Sequence, residues 1–405
     1  MPNYQQPTIQ LKPRKEESVL RFHPWVFSGA IAKIILDKNY PHTEPQEGEL
    51  VKVADSTGKI LAVGHWQIGS IAVRILAFNV SELPKDFWQQ RIKAAWQLRQ
   101  SLGLLRSDNN TFRLIHGEGD FLPGLIVDVY ADTAVIQAHS IGMHLHRMEI
   151  AEAIVKVIPS IQNVYYKSDD TLPFKAPISG EKTGYLIGSQ TANAYWAIEN
   201  GLQFRIDWLQ GQKTGFFVDQ RENRALLEHY AAERNVLNMF CYTGGFSVYA
   251  LRGGAKSVTS VDVSAKAIEL VNANVARNFP DSTEHFAYTA DAFEFLDKEK
   301  DKYDLIILDP PAFAKHRDAI QNALRGYRRL NAKAIEKIKP GGILFTFSCS
   351  QAIDKEMFRL AVFSAAAQVG RKVRILHQLH QPADHPINIY HPEGEYLKGL
   401  VLYVE

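Results

Sequence analysis

Cys349 lies between two serines, Ser348-Cys349-Ser350, directly after the apolar run 342–347 (GILFTF). A thiolate is a strong nucleophile, and a cysteine at a strand end facing a crevice is a better candidate for chemistry than one in mid-strand. Such a thiolate can add to carbon 6 of a pyrimidine. The adduct makes carbon 5, otherwise too weak a nucleophile, able to take a methyl group from a sulfonium donor. Loss of the carbon-5 proton then expels the thiolate. A second candidate, Asp309-Pro310-Pro311-Ala312-Phe313, follows the run YDLIIL. Its two prolines fix a rigid, extended exit and remove two backbone donors. That rigidity could hold a planar base against Phe313 by stacking. A plain strand-terminating turn is the alternative, and the strand context favours the functional reading.

The other half of such a reaction needs a donor, and the stretch 236–264 reads as its site. It runs as short apolar strand, glycine turn, helix, second glycine turn, and strand ending in an acid. Thr243-Gly244-Gly245 lets the backbone turn tightly and approach a ligand, because glycine lacks the Cβ that would clash. Asp262, eighteen residues beyond Gly244, stands where an acid can accept ribose hydroxyls. The dinucleotide pattern GxGxxG is missing from this turn, so a nucleoside with little or no phosphate, such as S-adenosylmethionine, suits it better. The candidate cofactor residues are Asn238, Phe240, Thr243, Gly244, Gly245, Phe246, Asp262, Val263, Ser264, Asp291, Ala292 and Asp309, with Asp219, Gln220 and Arg224 just upstream. Asp219 is also a plausible N-cap for the helix that follows. Acids at three successive strand ends (Asp262, Asp291, Asp309) are hard to obtain from capping alone. Cys241, inside the turn, is the rival thiol, but a small core hydrophobe is its default reading.

Basic groups flank these candidates. Arg325, Arg328 and Arg329 share one helical face by their spacing, and Lys315, His316 and Arg317 precede that helix. They suit a phosphate-backboned substrate, with a solvated surface helix as the alternative. Near the start, Lys12, Arg14 and Trp25 could form the rim of a small RNA-binding barrel, or be a solvated edge and a core aromatic. His116-Gly117-Glu118-Gly119-Asp120 reads first as a hairpin loop. The histidines at 377, 380, 385 and 391 match no common ligand spacing, so no metal is expected.

The elements that must position these residues point to an α/β protein. From residue 236 onward strands and helices alternate, giving seven strands, the last two joined by a loop. That pattern predicts a doubly wound, Rossmann-like mixed sheet whose last strand is an antiparallel insertion, with ligands beyond the carboxyl ends of the strands. At 405 residues, more than one core is expected. Residues 1–80 read as a β-rich barrel with a hairpin at Asp55-Ser56-Thr57-Gly58, 81–190 as an α+β domain of order strand–strand–helix–strand, and 191–405 as the catalytic domain. A further hairpin is expected around Gln210-Gly211. Composition is that of an ordinary globular protein, 46% hydrophobic and 22% charged, and a net charge of +2 neither demands nor excludes nucleic acid. No run approaches the roughly 18 apolar residues of a membrane helix, no signal-peptide core is seen, and two cysteines without metal spacing suit a reducing cytoplasm.

Seven stretches together resemble the bacterial large-subunit ribosomal RNA cytosine-5 methyltransferases with an N-terminal PUA domain. They are RFHPWVFSGAI, HGEGDFLPGLIVDVY, KTGFFVDQRENR, FCYTGGFSVYA, LDPPAFAK, FSCS and EYLKGL. The resemblance spans nearly the whole chain. It implies an N-terminal PUA domain, a central α+β domain and a C-terminal class I methyltransferase domain. It also implies S-adenosylmethionine as donor and a cytosine of 23S rRNA, or its large-subunit precursor, as acceptor. Gly244 and its neighbours would hold the methionine part, Asp262 the ribose and Asp291 the adenine; Asp309 would face the target base and Cys349 attack it. Enzymes of the two-cysteine type carry a second cysteine after Asp-x-Pro, where this chain has Ala312, so another base must release the product; Asp309 is the nearest candidate by position. No membrane partner is expected, and a homodimer is left open. Two alternatives stay in view: methylation of a guanine nitrogen, which needs no cysteine, and a nonenzymatic RNA-binding assembly factor.

Overall fold

The computed structural model describes residues 5–173, 180–189, 195–298, 302–314 and 317–405. The chain divides into two compact units. The first comprises Met1–Asn193, Asp207–Gly215 and Ala383–Gly394; the second comprises Ala194–Ile206, Phe216–Pro382 and Glu395–Glu405. Asp207–Gly215 and Ala383–Gly394, which lie inside the expected range 191–405, therefore belong with the first unit.

The first unit holds two sheets. Six strands between Thr8 and Phe78 form one, with Thr8–Leu11 parallel to Leu50–Ala54 and the remaining pairs antiparallel. The Asp55-Ser56-Thr57-Gly58 turn joins Leu50–Ala54 to Ile60–Trp66 as expected, with the Asp55 carboxylate accepting the Thr57 and Lys59 N–H groups at 2.8 and 3.0 Å. Alternating residues such as Ile9, Leu11, Val51 and Val53 face the core of this sheet. The second sheet has five strands, ordered Thr183–Ile187, Asn163–Lys167, Thr133–Ala138, Leu125–Tyr130, Thr111–His116. The expected strand–strand–helix–strand order is therefore corrected. Three strands precede the next helix, because Thr111–His116 and Leu125–Tyr130 form a hairpin of their own around His116-Gly117-Glu118-Gly119-Asp120, where the expected loop takes the form of a 3-10 turn.

That turn is a structural hub. Asp120 takes both arms of the fully buried Arg99 guanidinium, at 2.5 and 2.9 Å, and also accepts the His116 N–H at 2.6 Å. Glu118 accepts the Trp25 indole N–H and an Arg74 N–H, each at 2.9 Å. Gly119 has the Pro386 carbonyl 1.9 Å from where a Cβ would stand, so only glycine fits there. The hairpin expected around Gln210-Gly211 is likewise corrected. The strands are Tyr195–Glu199 and Leu202–Ile206, and they turn at Asn200-Gly201, where both residues have positive φ (49° and 81°). The stretch 207–215 instead packs within the first unit, with Trp208 stacked 6.2 Å from Tyr130 and Thr214 donating to Asp128 at 2.6 Å.

The second unit is built on seven strands: β1 (Asn235–Met239), β2 (Ser257–Asp262), β3 (His285–Thr289), β4 (Leu305–Leu308), β5 (Gly342–Ser348), β6 (Val373–His380) and β7 (Lys398–Val404). Their order is β3-β2-β1-β4-β5-β7-β6, and β7 alone runs antiparallel to its neighbours, inserted between β5 and β6. This is the mixed, doubly wound sheet that the strand pattern predicts. Its central strands are buried along nearly their whole length because both faces are covered, whereas the edge strands β3 and β6 are largely exposed. Val236, Leu305, Ile307 and Phe345 point to one core, shared with α1 (Arg221–Ala231) and α2 (Gly245–Arg252). Leu237, Ile306, Leu308 and Leu344 alternate to the other core, shared with α4 (Ala292–Lys298), α5 (Ile320–Lys337) and α6 (Lys355–Val369). The remaining helix, α3 (Ala265–Asn278), packs along β2 and β3. No helix among the described residues is long and apolar enough to cross a membrane.

Asp120→Ala would leave the Arg99 guanidinium buried with no carboxylate. Loss of one partner of such a pair costs about 3–5 kcal/mol. Five of the six tryptophans (Trp25, Trp66, Trp88, Trp96 and Trp208) lie in the first unit, so the urea midpoint of its tryptophan fluorescence should fall accordingly. An unchanged midpoint would refute the hub role.

Candidate active site at the carboxyl ends of the strands

The carboxyl end of β1 leads into Phe240-Cys241-Tyr242-Thr243-Gly244, a tight loop in which Phe240, Tyr242 and Gly244 all have positive φ (57°, 45° and 75°). For a non-glycine residue such a conformation costs on the order of 1–3 kcal/mol and persists only where surroundings impose it. Here Tyr242 donates its N–H to Asp262 at 3.0 Å, Gly244 donates to the Cys241 carbonyl at 2.7 Å, and Asn274 donates to the Thr243 carbonyl at 2.8 Å. The loop ends in α2, whose N-terminus Gly244 enters with no capping side chain. Its first N–H groups are therefore available to an anionic or polar ligand group.

A buried fork supports this loop. Arg224 is 2% exposed, donates to both Glu199 oxygens at 2.9 and 2.8 Å, and donates to the Phe217 carbonyl at 3.0 Å. A Cβ on Gly245 would lie 2.9 Å from its Cδ. Its donors are thus committed beneath the loop. Asn238 is also buried, in a polar chain that passes through Ser247 and Ser260 to His285. Phe246 packs into the core 5.6 Å from Phe347.

The two acids at the next strand ends are differently placed. Asp262 is half-buried, and two backbone N–H groups, Tyr242 and Ser264 at 3.0 and 2.9 Å, aim its carboxylate. Val263 is 76% exposed beside it, and Ser264 caps α3. Asp291 is exposed and uses one oxygen on the Phe293 and Glu294 N–H groups, at 2.9 and 3.1 Å, ahead of the buried Ala292. Each carboxylate is held by backbone donors yet reachable by solvent, which is what a ribose diol or an exocyclic amine requires. The anchored Asp262 carboxylate, the strained loop and the uncapped helix start therefore fit an adenosine group bearing an amino-acid tail.

Asp219 does not cap the helix that follows it, a correction to the sequence reading. Its carboxylate instead accepts the Tyr396 hydroxyl at 2.6 Å, and α1 begins after a 3-10 turn with no side-chain cap. Gln220 reaches across to Asp309, donating at 3.1 Å.

Cys349 sits at the carboxyl end of β5, half-buried, with Sγ 4.0 Å from the Pro310 carbonyl. Its flanking serines are locked. Ser348 donates to the Tyr327 hydroxyl at 3.0 Å, and the Ser350 and Tyr327 hydroxyls are 2.9 Å apart. Ser350 also accepts the Ala314 N–H at 3.3 Å, which ties the Asp309-Pro-Pro loop to the cysteine. Phe313 packs 4.7 Å from Tyr327, and Gly326 lets it approach, since a Cβ there would meet its ring at 3.0 Å. Cys241 differs sharply: it is 6% exposed, and burial, with Asp262 adding, pushes its thiol well above the usual range. Of the two thiols, only Cys349 is both accessible and next to the Asp309-Pro-Pro end of β4.

Sequence reading missed Tyr327 and Lys398. Tyr327 was hidden because it follows the apolar stripe Ala323, Tyr327, Leu330, Ala334 and so reads as core. On the opposite face Arg325, Arg328, Arg329 and Lys333 line one groove, with Arg329 4.6 Å from the Phe293 ring centre. Lys315 and His316 lie outside the described residues. Lys12, Arg14 and Trp25 belong to the first unit, where Lys12 donates to the Gly29 carbonyl at 2.9 Å. There Trp25 is enclosed by Arg74 and His391, with ring centres 4.2 Å apart for the His391 pair.

Family models match the chain in two places: an S-adenosylmethionine-dependent methyltransferase over residues 180–392 and a PUA-like domain over residues 9–78. The ribosomal RNA large subunit methyltransferase I of Tolumonas auensis is 40% identical over 401 residues, covering 98% of this chain and 98% of the relative. Its counterpart from Shewanella denitrificans is 39% identical, covering 98% and 99%. A methyltransferase solved in complex with SAH superposes with a TM-score of 0.82 at 22% identity, over 98% of this chain and 100% of that one. A methyltransferase structure from Streptococcus mutans gives 0.81 at 22% identity and the same coverage. These likenesses carry the fold, and S-adenosylmethionine is the cofactor that the loop, Asp262 and Asp291 fit. The chain belongs to the ribosomal RNA large subunit methyltransferase I family of S-adenosylmethionine-dependent enzymes.

Proposed function

We propose that this methyltransferase forms 5-methylcytosine in 23S ribosomal RNA through a covalent bond between Cys349 and the target base. The observation that carries the reading is the placing of a half-exposed thiol, locked by its two serines, beside the Asp309-Pro310-Pro311 exit. The names of the relatives support ribosomal RNA as substrate.

The chain's own residues divide the work as follows. The uncapped start of α2 with Thr243, Gly244 and Gly245 receives the methionine part; Asp262, with Val263 and Ser264, the ribose; and Asp291 and Ala292 the adenine. Arg224, Asn238, Phe240 and Phe246 hold the loop in shape, and Asp219 and Gln220 connect it to Tyr396 and Asp309. Asp309, Pro310 and Pro311 present the base, and Phe313 forms the wall behind it. When bound, S-adenosylmethionine supplies an electrophilic methyl carbon on a sulfonium. The Cys349 thiolate adds to carbon 6, and the carbon 5–carbon 6 π pair moves onto carbon 5. Carbon 5 takes the methyl group as the old bond to sulfur breaks with its electron pair. A base then removes the carbon-5 proton, the double bond re-forms, and the thiolate leaves. Asp309 is that base by position. Arg325, Arg328 and Arg329, on the face of α5 turned away from Tyr327, bind RNA phosphates outside the crevice, and Lys12, Arg14 and Trp25 are the RNA contacts of the PUA-like region.

Two outcomes test this. Cys349→Ser should lower 5-methylcytosine formation on undermethylated large-subunit RNA by on the order of 10³-fold or more, with S-adenosylmethionine affinity unchanged. Nucleoside mass spectrometry that finds most activity retained, or a methylated guanine, would overturn the reading. Asp262→Ala should weaken S-adenosylmethionine binding by roughly 10- to 100-fold, since hydrogen bonds to a charged group are each worth about 1.5–3 kcal/mol. Calorimetry showing an unaltered Kd would remove Asp262 from the ribose site.

A further inference from the structure

Lys398 opens β7 and pairs in register with Ser348 across the antiparallel ladder, one residue from Cys349. Its side chain is 6% exposed. The ammonium donates to the Ser350 carbonyl at 2.7 Å and the Tyr396 carbonyl at 2.8 Å. An ammonium has three N–H donors, and both of these partners are neutral. A buried cation is costly unless a countercharge forms beside it.

The neighbouring carboxylates are committed elsewhere. Glu395 pairs with Lys355, and Asp354 caps α6 by accepting the Met357 N–H at 2.8 Å. Among the described residues, the charged and titratable groups acting on Lys398 are Cys349, Glu395, Asp354 and Lys355, and Cys349 exerts the largest electrostatic effect. Burial lowers Lys398 to about 8, which still leaves it largely protonated at neutral pH. Tyr327, which also faces the cysteine, is held neutral because burial raises its hydroxyl above the usual range. Among the described residues, Lys398 and Cys349 are thus electrostatic neighbours, and the Glu395 and Asp354 carboxylates that also act on Lys398 already have partners.

We propose that Lys398 is a positioning residue whose ammonium is the counter-ion of the Cys349 thiolate. The inference rests on the covalent reading above and adds the group that keeps the nucleophile ready. The thiol proton leaves to solvent before the base arrives, so the resting pair is thiolate and ammonium. During addition the sulfur electron pair forms the bond to carbon 6, and Lys398 keeps its proton throughout. Anchored on the Ser350 and Tyr396 carbonyls, it cannot follow the charge away from the site.

The test is iodoacetamide alkylation of the full chain as a function of pH, read by mass spectrometry of the peptides carrying Cys349 and Cys241. In the wild type, the Cys349 rate should rise through a midpoint below the ~8.5 of an ordinary thiol, with Cys241 far slower. Lys398→Met should raise the midpoint by about one unit, slowing alkylation roughly tenfold at pH 7, and Lys398→Arg should restore it. A wild-type midpoint at or above ~8.5 overturns the proposal even if Lys398→Met fails to fold. So does an unchanged midpoint in a Lys398→Met protein with wild-type melting temperature and cofactor affinity. The readout needs no turnover, which separates the two ideas. Methylation surviving in Cys349→Ser sinks the covalent reading whatever the alkylation profile, whereas a high wild-type midpoint sinks only the role of Lys398.

Discussion

The Tyr327 hydroxyl is the point on which the acceptor side of the site depends. It takes a hydrogen bond from Ser348, lies 2.9 Å from the Ser350 hydroxyl, and through Ser350 reaches the backbone of Ala314. One buried phenol on α5 thereby fixes the end of β5 against the loop after β4. A cysteine on an unrestrained turn would sample many positions. Between two anchored serines its thiol has one neighbourhood, and that neighbourhood holds the Pro310 carbonyl and Lys398. The aromatic body of Tyr327 is core packing and its hydroxyl is local architecture, so a single residue couples fold stability to site geometry.

The donor side obeys a different constraint. Its loop is strained at Phe240 and Tyr242, and the strain is balanced by the Asp262 carboxylate, the Asn274 amide and the Glu199–Arg224 fork beneath Gly245. Asp262 holds the loop through the Tyr242 N–H, and in the proposed reading its remaining acceptor capacity serves a ribose. The buried Arg224 is matched by a bidentate carboxylate, the geometry in which a buried guanidinium is least costly.

Much of this was legible in the sequence. The alternation of apolar runs and helices from residue 236 predicts the sheet, and the sheet rule then gathers Gly244, Asp262, Asp291, Asp309 and Cys349 at one edge. The order β5-β7-β6 followed from two final strands joined without a helix. Three features were not legible because local pattern and tertiary context disagree. Asp219 looked like a cap, but a hydroxyl 177 residues away in sequence takes its carboxylate. The alternating stretch 200–218 looked like one hairpin, yet the turn falls at Asn200-Gly201 and Trp208 packs with the first unit. Tyr327 carried no local signal, since a tyrosine in an apolar stripe is ordinary, and Lys398, although inside EYLKGL, carried none for a place beside the cysteine. Only long-range pairing gives them meaning.

The central claim is a covalent link between Cys349 and a cytosine, and trapping that link tests it most directly. In RNA bearing 5-fluorocytidine at the target, carbon 5 has no proton to lose, so elimination stalls after methyl transfer. Incubation with S-adenosylmethionine, digestion and mass spectrometry should yield a Cys349 peptide carrying one methylated fluorocytidine nucleotide, and none in Cys349→Ser. Methylation of natural substrate by an enzyme that never forms this adduct, or an adduct on Cys241, would contradict the account.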